Sequence, residues 1–132
     1  LEWVKNLEAK YPVIQQELLE LLNSGMEKGF WLKVHPDYVQ GKTWRTFEMV
    51  FFGMKIVENV NLCPETFKVI SQIPELVTVD FSLLPSNTKI LPHKGYSTMI
   101  LMSHLPLVVP KGDIGIKVNG ISKKWKEIIK YK

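Results

Sequence analysis

Helices first and a jelly-roll pair of β-sheets after them, an α+β fold, is what this 132-residue sequence predicts. Three features carry that expectation. Apolar residues recur at helical spacing near the start, at Ile14, Leu18, Leu21 and Leu22. From residue 77 onward the chain breaks into short β-type runs separated by turn chemistry. Length suits one core, and 45% hydrophobic with 23% charged residues is an ordinary globular balance. The whole of 1–132 therefore reads as a single domain, with a helical part over 1–28 and a β-rich part over 30–132.

In chain order, residues 1–10 form a short helix or a helix end. Residues 12–23 form a firmer one, with Pro12 in the first turn and Gly25 just beyond the end. Residues 29–41, with Trp31, His35-Pro36 and Tyr38, are irregular, and 44–52 is a strand closed by Gly53. Cys63-Pro64-Glu65-Thr66 opens a helix, with proline at the first helical position and an acid in the positive first turn. Phe67, Ile70 and Ile73 line that helix and Pro74 closes it. Strands follow over 77–84, 89–91, 99–109 and 114–118. The turns between them are Pro85-Ser86-Asn87, His93-Lys94-Gly95, Pro110-Lys111-Gly112 and, after the last, Asn119-Gly120.

Composition removes several function classes. The single cysteine, Cys63, forbids an internal disulfide and a zinc cluster built on thiolates. The amphipathic, charged start is no signal peptide, and no apolar run reaches the roughly 18 residues of a membrane span, so the default is a cytoplasmic protein. The net charge of +4 gathers in Lys123, Lys124, Lys126, Lys130 and Lys132. Without interleaved aromatics these read as a solvated face, and no nucleic-acid partner is expected.

The histidines are His35, His93 and His104. His93 ends a predicted strand in Leu91-Pro92-His93-Lys94-Gly95, and His104 lies within one. Strand alternation puts Asp80, Ser82 and Leu84 on one face, and Ile100, Met102 and His104 on one face of the next long strand. Non-haem iron takes two histidines and a carboxylate, in the local form His-x-Asp or His-x-Glu. Here the third position is Gly95. From spacing alone, a hydrogen-bonded structural histidine describes each of the three better than a metal ligand.

The run from Phe81-Ser82 through Leu91-Pro92-His93-Lys94-Gly95 resembles the core signature of the aspartyl/asparaginyl β-hydroxylase family. His104-Leu105 follows eleven residues after His93 and leads to a strand ending in Pro110. The tryptophan strand 44–53, Cys63-Pro64-Glu65-Thr66, Ile73-Pro74 and Trp125 extend the likeness over about residues 30 to 127. The resemblance implies a cupin-like double-stranded β-helix with the N-terminal helices packed outside. It implies an Fe(II)/2-oxoglutarate-dependent dioxygenase that hydroxylates a C–H bond of a peptide, a protein side chain or an acyl chain. It also implies that Gly95 stands where related enzymes have an acidic ligand, that His93 binds iron, and that Ser82 and His104 contact the 2-oxoglutarate co-substrate.

Two departures bear on activity. The family's arginine two residues before His-Leu is Met102 here, and a thioether cannot pair with a carboxylate as a guanidinium does. The family's second histidine ligand lies on a later strand, and no histidine follows His104. Either the 132 residues are part of a longer jelly roll or the chain is a degenerate relative serving as a small-ligand or peptide binding module. The open strand edges of an unfinished roll favour the former.

Overall fold

A computed structural model of the chain describes residues 1–95, 99–112 and 114–125. Two helices open it, α1 (Glu2–Ala9) and α2 (Tyr11–Asn23), with Pro12 in the first turn of α2 as its fixed φ favours. Ile14, Leu18 and Leu21 form the buried stripe of α2, and Gly25 follows its end at φ 71. Two further helices, α3 (Val57–Leu62) and α4 (Pro64–Ile70), follow the first strands. The sequence reading foresaw α4 and not α3, whose six residues VENVNL carry too short an apolar pattern to show a period.

The principal sheet has four antiparallel strands. Its central strand β3 (Arg45–Phe51) pairs with β1 (Trp31–Lys33), with β4 (Met54–Lys55) and with β5 (Val79–Leu83). Two small ladders stand beside it: β2 (Val39–Gln40) with β6 (Lys89–Ile90), and β7 (Gly115–Val118) with β8 (Ile121–Lys124). Asn119 and Gly120, both at positive φ, make the tight turn between β7 and β8. Part of the region read as irregular, 29–41, is thus recruited into sheets as β1 and β2. Each is too short for its alternation to register in sequence.

The α+β character holds, while the described strands form no closed barrel. Residues 99–109, expected as a strand, run without a ladder, because no described strand lies alongside to exchange backbone hydrogen bonds with them. Helix α2 holds this segment instead: the Tyr11 hydroxyl and the Gln15 side-chain amide donate to the Leu107 carbonyl at 2.9 and 2.7 Å, and Leu105 and Leu107 pack on the core. Among the described residues no helix is long and apolar enough to cross a membrane. The terminal residues 126–132, with three of the lysines read as a solvated face, lie outside the described residues.

The sheet has one packed face and one open face. Phe47 and Phe81, opposite each other on β3 and β5, stack with centroids 6.0 Å apart. They meet Ile14, Leu18 and Leu21 of α2 and Val69 and Ile70 of α4 in one core. Thr46, Glu48, Asp80 and Ser82 alternate onto the other face. A bulge at Met49 shifts the register so that Val50 opposes Val79, and both Met49 and Val50 are buried. That bulge ends the polar stripe and confines it to the half of the sheet nearest Trp44.

Candidate functional site

Three devices place the side chains of the open face. Pro36 starts a short 3-10 turn (Pro36–Tyr38) in which the His35 imidazole accepts from the Asp37 N–H at 3.2 Å, so His35 has a capping role. The Leu91 N–H donates to the Tyr38 carbonyl at 2.8 Å, and Val39 pairs with Ile90, which ties Tyr38 to the approach to His93. Gly41, at φ 114, passes so close to the 87–88 backbone that a Cβ there would sit 2.5 Å from the Asn87 carbonyl oxygen. Asn87 itself takes φ 54, the left-handed conformation asparagine tolerates, so the turn after Pro85 forms without glycine.

On this frame Trp44 links two of the residues singled out in the sequence. Its indole N–H donates to Ser82 Oγ at 2.8 Å, and its ring lies 6.4 Å from the His93 ring. Tyr38 meets His93 edge-on at 6.1 Å. His93 is exposed, and its Nδ1 lies 2.9 Å from the Leu91 carbonyl oxygen. A carbonyl only accepts, so that bond puts a proton on Nδ1, and in the neutral ring the lone pair is on Nε2, the form in which imidazole binds a metal. Ser82 accepts from Trp44 and keeps its own O–H to donate.

His104 stands apart from this pair. Its ring lies 5.6 Å from Trp125, and it lines an open recess of about 530 Å3 with Trp3, Leu7, Leu105 and Lys123. It also acts electrostatically on Asp80, two residues before Ser82 on the same face of β5. The site thus gathers Ser82, His93, Trp44 and Tyr38, with His104 joined to it through Asp80. Met102 is 76% exposed. The single arginine of the sequence, Arg45, alternates to the face away from Ser82, so no guanidinium faces the site.

Behind Ser82 a second feature appears that the sequence did not announce. Glu48 of β3 lies directly opposite Asp80 of β5. Burial, then the Asp80 charge, pushes the Glu48 carboxyl up to about 7. Asp80 is exposed at its surface, yet the protein packed around it partly desolvates its carboxyl and raises it as well, against the lowering effects of a hydrogen bond with Glu48 and of His104. Asp80 could be placed on the Ser82 face from alternation alone. Glu48 needed the register of a partner strand thirty residues away.

Whether these residues fit a protein-held iron ion can be judged from the donor set. Among the described residues no three His, Cys, Asp or Glu side chains come together as a metal-binding group. His93 is one well-prepared imidazole, and the described residues bring no second histidine or carboxylate to it. Cys63 offers nothing: it is wholly buried, and burial followed by the nearby charges of Glu17 and Glu20 raises its thiol to about 12.

Comparison with known proteins places this geometry in context. The sequence profile of the Aspartyl/Asparaginyl beta-hydroxylase family matches residues 8–128. An ornithine lipid ester-linked acyl 2-hydroxylase of Rhizobium tropici is 30% identical over 130 residues, covering 95% of this chain and 46% of that protein. Aspartyl/asparaginyl beta-hydroxylases of Homo sapiens and Mus musculus are 28% and 27% identical over 134 residues, covering 96% of this chain and 17% of each of those proteins. The chain thus spans about half the length of the first relative and about a sixth of the other two.

Proposed function

Because the chain belongs to the aspartyl/asparaginyl β-hydroxylase family, we propose that it works in an Fe(II)/2-oxoglutarate-dependent hydroxylase, on a C–H bond of a peptide side chain or an acyl chain. The observation that supports this most is the Trp44 indole, which hydrogen-bonds Ser82 and lies against His93. In this reading Fe(II) would supply the oxidising chemistry and His93 would be one of its ligands. The described residues hold no complete ligand set, so binding and orientation are the roles assigned to them.

Those roles follow from donor chemistry. Ser82, with its oxygen fixed by Trp44, offers an O–H to one carboxylate of 2-oxoglutarate, and the imidazole of His104 offers an N–H. Both are weaker partners for a carboxylate than a bidentate guanidinium, and none faces the site. Co-substrate binding is therefore expected to be weak. Tyr38 and Trp44 both place their rings next to His93.

The test is thermal denaturation of the chain with Mn(II), a non-oxidising stand-in for Fe(II), and millimolar 2-oxoglutarate. Metal and co-substrate together should raise the midpoint. His93→Ala should remove the metal-dependent part, and Trp44→Phe, which lacks the N–H, should weaken 2-oxoglutarate binding severalfold, in line with about 1 kcal/mol for one hydrogen bond. No shift with either ligand would overturn the proposal that this chain binds iron and 2-oxoglutarate and leave the binding-module reading.

A binding module without catalysis is the second reading, favoured by Met102 at the position of the family's arginine. Met102→Arg separates the two. If that variant binds 2-oxoglutarate where the parent chain does not, the scaffold has kept the pocket and lost the clamp.

A further inference from the structure

Glu48 and Asp80 oppose each other across the β3–β5 ladder, next to the Thr46–Ser82 pair that carries the candidate site. Like charges directly opposite on a sheet repel. Among the described residues neither carboxyl has a lysine or arginine in an ion pair. One oxygen of Glu48, Oε2, is buried without a hydrogen-bond partner among the described residues. Two carboxyl groups set opposite each other, neither paired with a lysine or arginine, are compatible with a paired strand if they hold a proton in common.

We infer that Glu48 and Asp80 act as one proton-sharing unit, a pH-sensitive clasp that fastens β5 to β3 beneath Ser82 and loosens when the proton leaves. Among the described residues the groups facing it are few. β5 contributes Asp80, the 99–109 segment contributes His104 beside Asp80, and Thr46 adds a hydroxyl next to Glu48. On the other side β1 sets Trp31 and Leu32 opposite Phe47 and Thr46 and brings no charge to the pair. Glu48 is the member that holds the proton, and Asp80 is its carboxylate acceptor. β5 pairs with no other described strand, so β3 alone holds the register of Ser82.

The direction of the pH effect follows from linkage. Glu48 is raised in the fold from 4.5 to about 7, so the folded chain binds more protons than the unfolded one between those values. The stabilisation is complete below the unfolded value and is lost as pH rises through the folded value. Above neutrality both carboxyls are charged, and the Ser82 end of the site rests on a weakened ladder. The inference deepens the hydroxylase reading, since the clasp underlies Ser82, but its test needs no ligand.

Urea denaturation of the chain at pH 5.5 and pH 8, with Glu48→Gln and Asp80→Asn in parallel, decides it. Each substitution keeps a hydrogen-bonding partner and removes one charge. The ratio of the folding constant of Glu48→Gln to that of the parent chain should rise about tenfold between the two pH values, a figure reduced from the full linkage because the pair is partly solvated. Asp80→Asn should show the same sense. Hydrogen exchange should show the β3–β5 amides of the parent chain opening more often at pH 8, and not those of Glu48→Gln. A ratio that stays constant with pH in both variants overturns the clasp. If the clasp holds while 2-oxoglutarate fails to bind, the hydroxylase reading fails by itself.

Discussion

Replacing Glu17 with alanine should destabilise the chain by about 2–4 kcal/mol, although Glu17 lies on a helix remote in sequence from everything it supports. Helix α4 begins at Pro64 with Cys63 at its cap, and Cys63 provides no side-chain cap. The Glu17 carboxylate of α2 does that work across the fold. It accepts from the N–H of Glu65 at 3.2 Å, from the N–H of Thr66 at 2.6 Å and from the Thr66 hydroxyl at 2.6 Å. A carboxylate there also meets the positive end of the helix. Thr66 is 1% exposed, so removing the acceptor strands two donors that water reaches only through the space the truncation leaves. Each stranded donor costs about 1–3 kcal/mol, and partial hydration brings the sum to the range given. Glu17→Gln keeps an acceptor oxygen without the charge and should lose about half as much. Urea denaturation followed by circular dichroism measures both. The corresponding fall in midpoint temperature for Glu17→Ala is on the order of 6–16 °C for a chain of this size. A loss below about 0.5 kcal/mol would refute the assignment of Glu17 as the cap of α4.

Two further predictions concern the same core. Gly29→Ala should cost roughly 2–4 kcal/mol in the same assay, because its φ is 76 and a Cβ would sit 2.6 Å from Phe47 and 2.8 Å from Asn59 Oδ1. Phe47 is fully buried and Asn59 already bonds the Phe30 N–H through that oxygen, so neither can retreat, and an unchanged midpoint would contradict the packing. The Cys63 thiol, buried and raised to about 12, should resist maleimide at pH 8 in the native chain and react fully in urea. Rapid native labelling would show that the α2–α4 contact opens readily.

The sequence by itself determined the helices with a full apolar stripe, the turns with special backbone needs and the family. The spacing of Ile14, Leu18 and Leu21 marks α2 because a helix of that length repeats its buried face several times. Asn87 and Asn119-Gly120 mark turns because few residues accept positive φ. Alternation placed Asp80 with Ser82 because it is local to one strand. What only the tertiary structure decided depends on partners distant in the chain. The 99–109 segment has strand-like residues, yet a strand exists only where a neighbour completes its hydrogen bonds, and two side chains of α2 hold this segment instead. The meeting of Trp44 with Ser82 and His93, the cap that Glu17 gives α4, and the opposition of Glu48 and Asp80 are all set by packing and register, which bring together residues that no local pattern connects.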